Sequence, residues 1–165
     1  LGAIGYSAGG HLVALLGTTG EAPSEENGNV DTRLQAVAAG GAPTDFRTFP
    51  DNGRWADYLM GGDLDTVPEK FKAASAPAFA DSSDAPMFFF NGNADRLVPL
   101  VWTRSCFDEL KKCGVRTEMY VVEGADHMQA AMDAEALAKA YEFLVSVLND
   151  KSEPAEAVGA KESLN

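Results

Sequence analysis

The chain has 165 residues, 45% of them apolar and 23% charged. That is the composition of one ordinary globular domain, not of a disordered or fibrous chain. Thirteen Lys and Arg against 25 Asp and Glu leave a net charge of −12, a field that repels nucleic acid and anionic membrane surfaces and argues against both as partners.

No apolar run approaches the roughly 18 residues of a membrane span. Cys106 and Cys113 fall in one helical stretch, roughly 10 Å apart at about 1.5 Å per residue, which is too far to bridge. Plain thiols mildly favour a reducing compartment, but the sequence leaves localisation and oligomeric state open.

The chain opens on Leu1-Gly2-Ala3-Ile4-Gly5-Tyr6, with neither Met nor a leader before it. It therefore reads as the remainder of a buried strand, in a fragment whose upstream part is missing. A helix is expected over 8–16, stopped by Gly17 and Gly20. Residues 33–39 predict a second strand ending at Gly40-Gly41. Residues 86–90, Pro-Met-Phe-Phe-Phe, predict a third ending at Asn91-Gly92, whose unbroken apolar run suits a strand buried on both faces.

Next comes a helix over 101–113 with Gly114 as its cap, then a fourth strand over 116–122 ending at Glu123-Gly124. A long amphipathic helix is expected over 129–148, with Met132, Ala136, Ala140, Phe143, Leu144 and Val147 on its apolar face. Short apolar runs alternating with helical patterns signal parallel strands joined by helices. The expected architecture is thus α/β, with about four parallel strands flanked by helices.

Residues 1–149 form the domain, and 150–165, poor in bulky apolar groups, read as a frayed tail. Residues 43–85 are too long for a simple crossover and carry Phe46, Phe49, Trp55, Tyr58 and Met60. They are read both as a helical excursion burying its own aromatics and as a cap contributing pocket walls.

Gly5-Tyr6-Ser7-Ala8-Gly9 is the pattern Gly-x-Ser-x-Gly at a strand-to-helix junction. That context gives the motif its meaning: a tight, strained turn thrusts the Ser7 hydroxyl out at the C-terminal end of the sheet. Gly5 and Gly9 are expected to let strand and helix approach, and the Ala8 N–H at the helix start to face a developing oxyanion. The competing reading is a glycine-rich turn with an ordinary N-cap serine.

A nucleophilic hydroxyl needs a base, and the base an orienting acid. Of the two histidines, His127 follows the fourth strand, at the same sheet end as Ser7, and is the expected base. His11 lies inside the first helix and reads as a packing residue. The acid candidates are Asp95, Asp45, Asp84 and Asp126. Asp95 follows the third strand and is favoured, with Asp45 the serious rival. Asp126 adjoins His127 and is badly placed to orient its ring. The order is then Ser7, Asp95, His127: nucleophile, acid, base.

On these residues the chain resembles the C-terminal half of an α/β-hydrolase. More narrowly, it resembles the esterase/lipase group that includes acetyl-xylan and feruloyl esterase-like proteins. Gly5-Tyr6-Ser7-Ala8-Gly9-Gly10-His11-Leu12 resembles that group's nucleophile elbow. Gly41-Ala42-Pro43-Thr44-Asp45 resembles its Gly-Pro-Thr-Asp stretch, and Gly61-Gly62 and Ala74-Ser75-Ala76-Pro77 its later elements. Residues 86–99 resemble its acid segment, and Gly124-Ala125-Asp126-His127 its histidine loop.

The likeness covers about residues 1–148. Asn91 stands where the group usually has His, and Asp126 where Gly commonly precedes the catalytic His. The group's His-Gly-Gly-type oxyanion loop lies upstream and has no counterpart here, so Ala8 is the one oxyanion donor assigned. Without upstream strands, the strand at 1–6 would be an open apolar edge.

The resemblance implies a serine hydrolase of carboxylic esters, with no metal or organic cofactor and a small-molecule or carbohydrate ester as substrate. The alternatives are a serine exopeptidase of the prolyl oligopeptidase-like clan and a non-catalytic hydrolase-like module.

Overall fold

The computed structural model describes residues 1–26, 28–48 and 54–150. Phe49 and the expected tail beyond 150 lie outside them. Four strands, β1 (Gly2–Tyr6), β2 (Ala36–Gly40), β3 (Met87–Gly92) and β4 (Thr117–Val122), pair in that spatial order, every pair parallel. The helices are α1 (Ala8–Thr19), α2 (Arg54–Met60), α3 (Pro68–Ala73), α4 (Leu100–Lys112), α5 (His127–Ala131) and α6 (Ala134–Asn149). This is the expected α/β sheet.

The phenylalanine run explains the layering. Along β3 successive side chains point to opposite faces. Met87 and Phe89 enter one core with Ala14, Val37, Cys106 and Leu110, on the side of α1 and α4. Phe88 and Phe90 enter the other with Ala136, Ala140, Phe143 and Leu144 of α6. Both faces of the sheet are thus covered, and β3 carries no alternating polar residues.

Several boundaries differ from expectation, and glycines account for most of them. α1 runs through Gly17 to Thr19: a Cβ at Gly17 would stand 2.3 Å from Met87 Cε and 2.9 Å from Val37 Cγ2. Gly17 is therefore a contact with the sheet, not a stop. β2 starts at Ala36, not at 33, and keeps Gly40, because the Phe90 ring lies where a Cβ of Gly40 would be, 2.2 Å away. The third strand likewise continues through Asn91 and Gly92.

Gly114 behaves as expected. It adopts φ 83° and donates to the Lys111 carbonyl, while Val115 N–H reaches Leu110 O, which closes α4 in a Schellman turn.

The single helix expected over 129–148 is two. Asp133 accepts from Ala136 N and caps a new helix, α6. Met132, expected on the apolar face, is left 77% exposed at the break. Residues 43–85 hold α2, α3 and two 3-10 turns. Phe46, Ala56, Met60 and Phe71 form a small core of their own, whereas Tyr58, expected among the buried aromatics, is 90% exposed.

Asp84 precedes β3, at the end of the sheet away from Ser7. Burial pushes its carboxyl from 3.8 up to about 6. A carboxyl whose folded value is raised costs stability once it ionises. The penalty is absent below about pH 4 and complete above about pH 6. Asp84→Asn should therefore raise the melting temperature at pH 7.5 and leave it unchanged at pH 4. Equal melting-temperature gains at both pH values would contradict the burial argument.

Candidate active site

Because all four strands are parallel, Ser7 after β1, Asp95 after β3 and His127 after β4 lie at the same, C-terminal, rim of the sheet. Ser7 joins β1 to α1 with φ 55° and ψ −122°, a conformation L-residues adopt at a cost of roughly 1–3 kcal/mol. It is held there by Ser7 N–H donating to Gly40 O at 2.9 Å and by His11 N–H donating to Ser7 O at 2.9 Å. The Ser7 side chain makes no cap bond to the helix, unlike an ordinary N-cap serine.

The approach of strand and helix is set by Gly5 and Gly10. A Cβ at Gly5 would lie 2.3 Å from Gly9 O, and one at Gly10 would lie 2.6 Å from Gly40 O. At Gly9 an added Cβ meets nothing within 4 Å, so the role expected of Gly9 falls to Gly10. Ala8 opens α1, where first-turn N–H groups have no intrahelical acceptor.

Asp95 and His127 meet. Asp95 Oδ2 lies 2.6 Å from His127 Nδ1, and the Asp95 side chain is fully buried in the contact. Its other oxygen, Oδ1, accepts from Leu97 N–H at 2.9 Å and Val98 N–H at 2.8 Å. Both carboxylate oxygens are therefore spent, and a donor is required of Nδ1. That leaves Nε2 as the basic nitrogen of the neutral ring.

The histidine loop folds back over β3: Ala94 N–H donates to Ala125 O at 3.1 Å and Asn93 N–H to Val122 O at 3.3 Å. Asp126, next to His127, forms a capping box with Gln129 at the start of α5, so its carboxylate faces the helix end.

The other candidate acids are engaged elsewhere. Arg47 donates to both oxygens of Asp45, at 2.8 and 3.0 Å, and Ser105 Oγ donates to Oδ2 at 3.1 Å. Burial works to raise the Asp45 carboxyl, but Arg47 and Ser105 outweigh it and hold the group below its ordinary value. Asn91, where the resemblance leads one to expect His, is buried. It donates to Val98 O at 3.2 Å and accepts from Thr103 Oγ1 at 3.0 Å, which steadies the segment carrying Asp95.

A cavity of about 290 Å³ opens beside Ser7, walled by Phe46, Trp55, Leu59, Leu97 and Val98. His11 also borders it. Its Nε2 lies 2.7 Å from Ala74 O and its ring meets Phe46 edge-on at 4.9 Å. Burial pushes this imidazole below its ordinary value, and Nε2, facing a carbonyl oxygen, donates to Ala74. The packing role expected of His11 thus extends to the cavity wall.

Sequence reasoning missed Tyr6. Its hydroxyl donates to the His127 carbonyl at 2.7 Å, and nothing in the residue pattern signals that contact. Among the described residues no group of three or more His, Cys, Asp and Glu is placed to hold a metal. No helix there is long and apolar enough to cross a membrane.

Comparison with known proteins gives these features a context. The BD-FAE family model matches residues 1–110. Esterase LipC of Mycobacterium tuberculosis is 31% identical over 134 residues, covering 74% of this chain and 33% of that protein.

Among solved structures, a truncated carbohydrate esterase from gut microbiota superposes with a TM-score of 0.78 at 20% identity, over 88% of this chain and 58% of its own. That likeness speaks to the fold. A propionate-bound thermophilic esterase from Thermogutta terrifontis gives 0.67 at 28% identity, over 88% and 55%. The acetyl ester-xyloside bifunctional hydrolase of Caldicellulosiruptor lactoaceticus gives 0.70 at 25%, over 86% and 53%. The chain spans about a third of the curated relative and little more than half of these three structures. With the family model matched over two thirds of its length, the chain belongs to the BD-FAE family.

Proposed function

We propose that the protein carrying this chain is a serine hydrolase of carboxylic esters, with Ser7 as nucleophile, His127 as general base and Asp95 as orienting acid. The observation that carries this reading is the 2.6 Å contact of Asp95 with His127 Nδ1, at the sheet rim where the strained elbow presents an uncapped Ser7 hydroxyl.

Ser7 Oγ attacks the ester carbonyl as His127 Nε2 takes its proton. Asp95 holds the ring and stabilises the imidazolium. The Ala8 N–H donates to the tetrahedral oxyanion. His127 then protonates the leaving alcohol, and water deacylates Ser7 by the same route. The apolar cavity beside Ser7 supports a short acyl group, in keeping with the propionate held by the Thermogutta esterase.

A fluorophosphonate probe should label Ser7, and Ser7→Ala should abolish both labelling and p-nitrophenyl acetate hydrolysis, a loss of at least about a thousandfold. Hydrolysis by the Ala variant at near the original rate would remove Ser7 from the reaction.

A further inference from the structure

The chemistry proposed above needs Ser7 and His127 side by side, yet they follow strands at the two ends of the row β1-β2-β3-β4. Strands lie about 4.8 Å apart, so three steps span about 14 Å. The histidine loop covers the first of those steps by folding back over β3, where Gly92 leaves it room: a Cβ there would stand 2.1 Å from Ala125 O. That contact fixes the loop to β3, not to the nucleophile.

Tyr6 supplies the link on the nucleophile side. Its hydroxyl donates to the backbone carbonyl of His127 at 2.7 Å, and its ring lies 5.0 Å from the imidazole at 52°. The phenol is itself held in place. Phe90 packs against it at 5.6 Å. Gly41, at φ 50°, leaves the space it fills: a Cβ there would come within 2.5 Å of Tyr6 Cζ. Burial, and then the charges of Asp95 and Asp126, push the phenol well above its ordinary value, in keeping with a hydroxyl that donates.

Tyr6 is peptide-bonded to Ser7. Its hydroxyl therefore ties the His127 backbone to the end of β1 that carries the nucleophile. Asp95 holds the imidazole nitrogen, whereas the Tyr6 hydroxyl holds the backbone of the residue bearing that ring. We propose that Tyr6 is a positioning residue that holds the His127 backbone at reacting distance from Ser7; the proposal rests on the serine-hydrolase reading above.

The test is Tyr6→Phe in the protein carrying this chain, beside Ser7→Ala. kcat and KM are measured on p-nitrophenyl acetate, with active sites counted by fluorophosphonate titration and the melting temperature recorded. Phe fills the same space and loses only the hydroxyl. The expected result is kcat per titrated site lowered roughly tenfold, with KM within about twofold of the original.

An unchanged kcat per titrated site overturns the proposal, even if the melting temperature or the titratable fraction falls, because the hydroxyl then serves folding alone. A raised KM at constant kcat overturns it too, since the hydroxyl would then serve substrate binding. Titration counts only folded, reactive enzyme, so partial misfolding does not mask the outcome. If Ser7→Ala retains activity, the serine reading itself fails. If Ser7→Ala is inactive and Tyr6→Phe is unimpaired, only the role of Tyr6 is lost.

Discussion

Asp95→Asn is expected to lower kcat about ten-thousandfold while leaving the protein folded. The carboxylate has two separate tasks. Oδ1 accepts from the N–H groups of Leu97 and Val98, and Oδ2 faces His127 Nδ1 at 2.6 Å. An asparagine oxygen can keep the two backbone bonds, so the loop survives. Its amide nitrogen then faces Nδ1 and donates, which forces the proton of the imidazole onto Nε2. The ring is now in the tautomer that cannot accept the Ser7 proton, and the charge that stabilised the imidazolium is gone. Steady-state kinetics beside a thermal melt measure this. A loss below about tenfold in a folded variant would move the orienting role to another acid.

Gly92→Ala is expected to be damaging by a purely steric route. The added Cβ would lie 2.1 Å from Ala125 O, 2.8 Å from Ala125 C and 3.2 Å from Asp126 O. All three are backbone atoms, so no side chain can rotate away, and the loop carrying His127 must move by an ångström or more. Overpacking of this kind costs roughly 1–3 kcal/mol, and an ångström of displacement in a reacting group costs on the order of 100-fold in rate. Melting should fall and fluorophosphonate labelling slow together. A variant that melts and labels like the original would show that the loop is not seated on Gly92.

The parts of this molecule legible in its sequence are those set by near neighbours. The elbow could be read because an apolar run, Gly-x-Ser-x-Gly and a helical pattern follow one another directly. Asp95 and Asp45 could both be placed at the C-terminal rim because each follows a strand, but which of them reaches His127 depends on the path of the histidine loop. The capping box of Asp126 and Gln129 and the cap at Asp133 were also local signals. Overlooking the second of these merged α5 with α6.

What stayed hidden depends on partners far along the chain. A glycine that ends an element and one that admits a neighbour look alike in sequence. Gly17 and Gly40 belong to the second kind only because Met87 and Phe90 arrive against them. The bond from Tyr6 to His127 depends on a loop after β4 meeting a side chain from β1, and no residue pattern encodes such a meeting.

That bond joins positions 121 apart in the chain, whereas the pair of Asp95 and His127 spans 32. Loop-closure entropy grows with the length enclosed, and distant contacts are made after near ones. Asp95 and His127 are thus free to meet early in folding, while the bond to Tyr6, beside Ser7, waits for both ends of the sheet. On the proposed reading, reactivity is then a late event in the maturation of this chain, and a partly folded molecule holds an acid and a base with no serine beside them to turn on its surroundings.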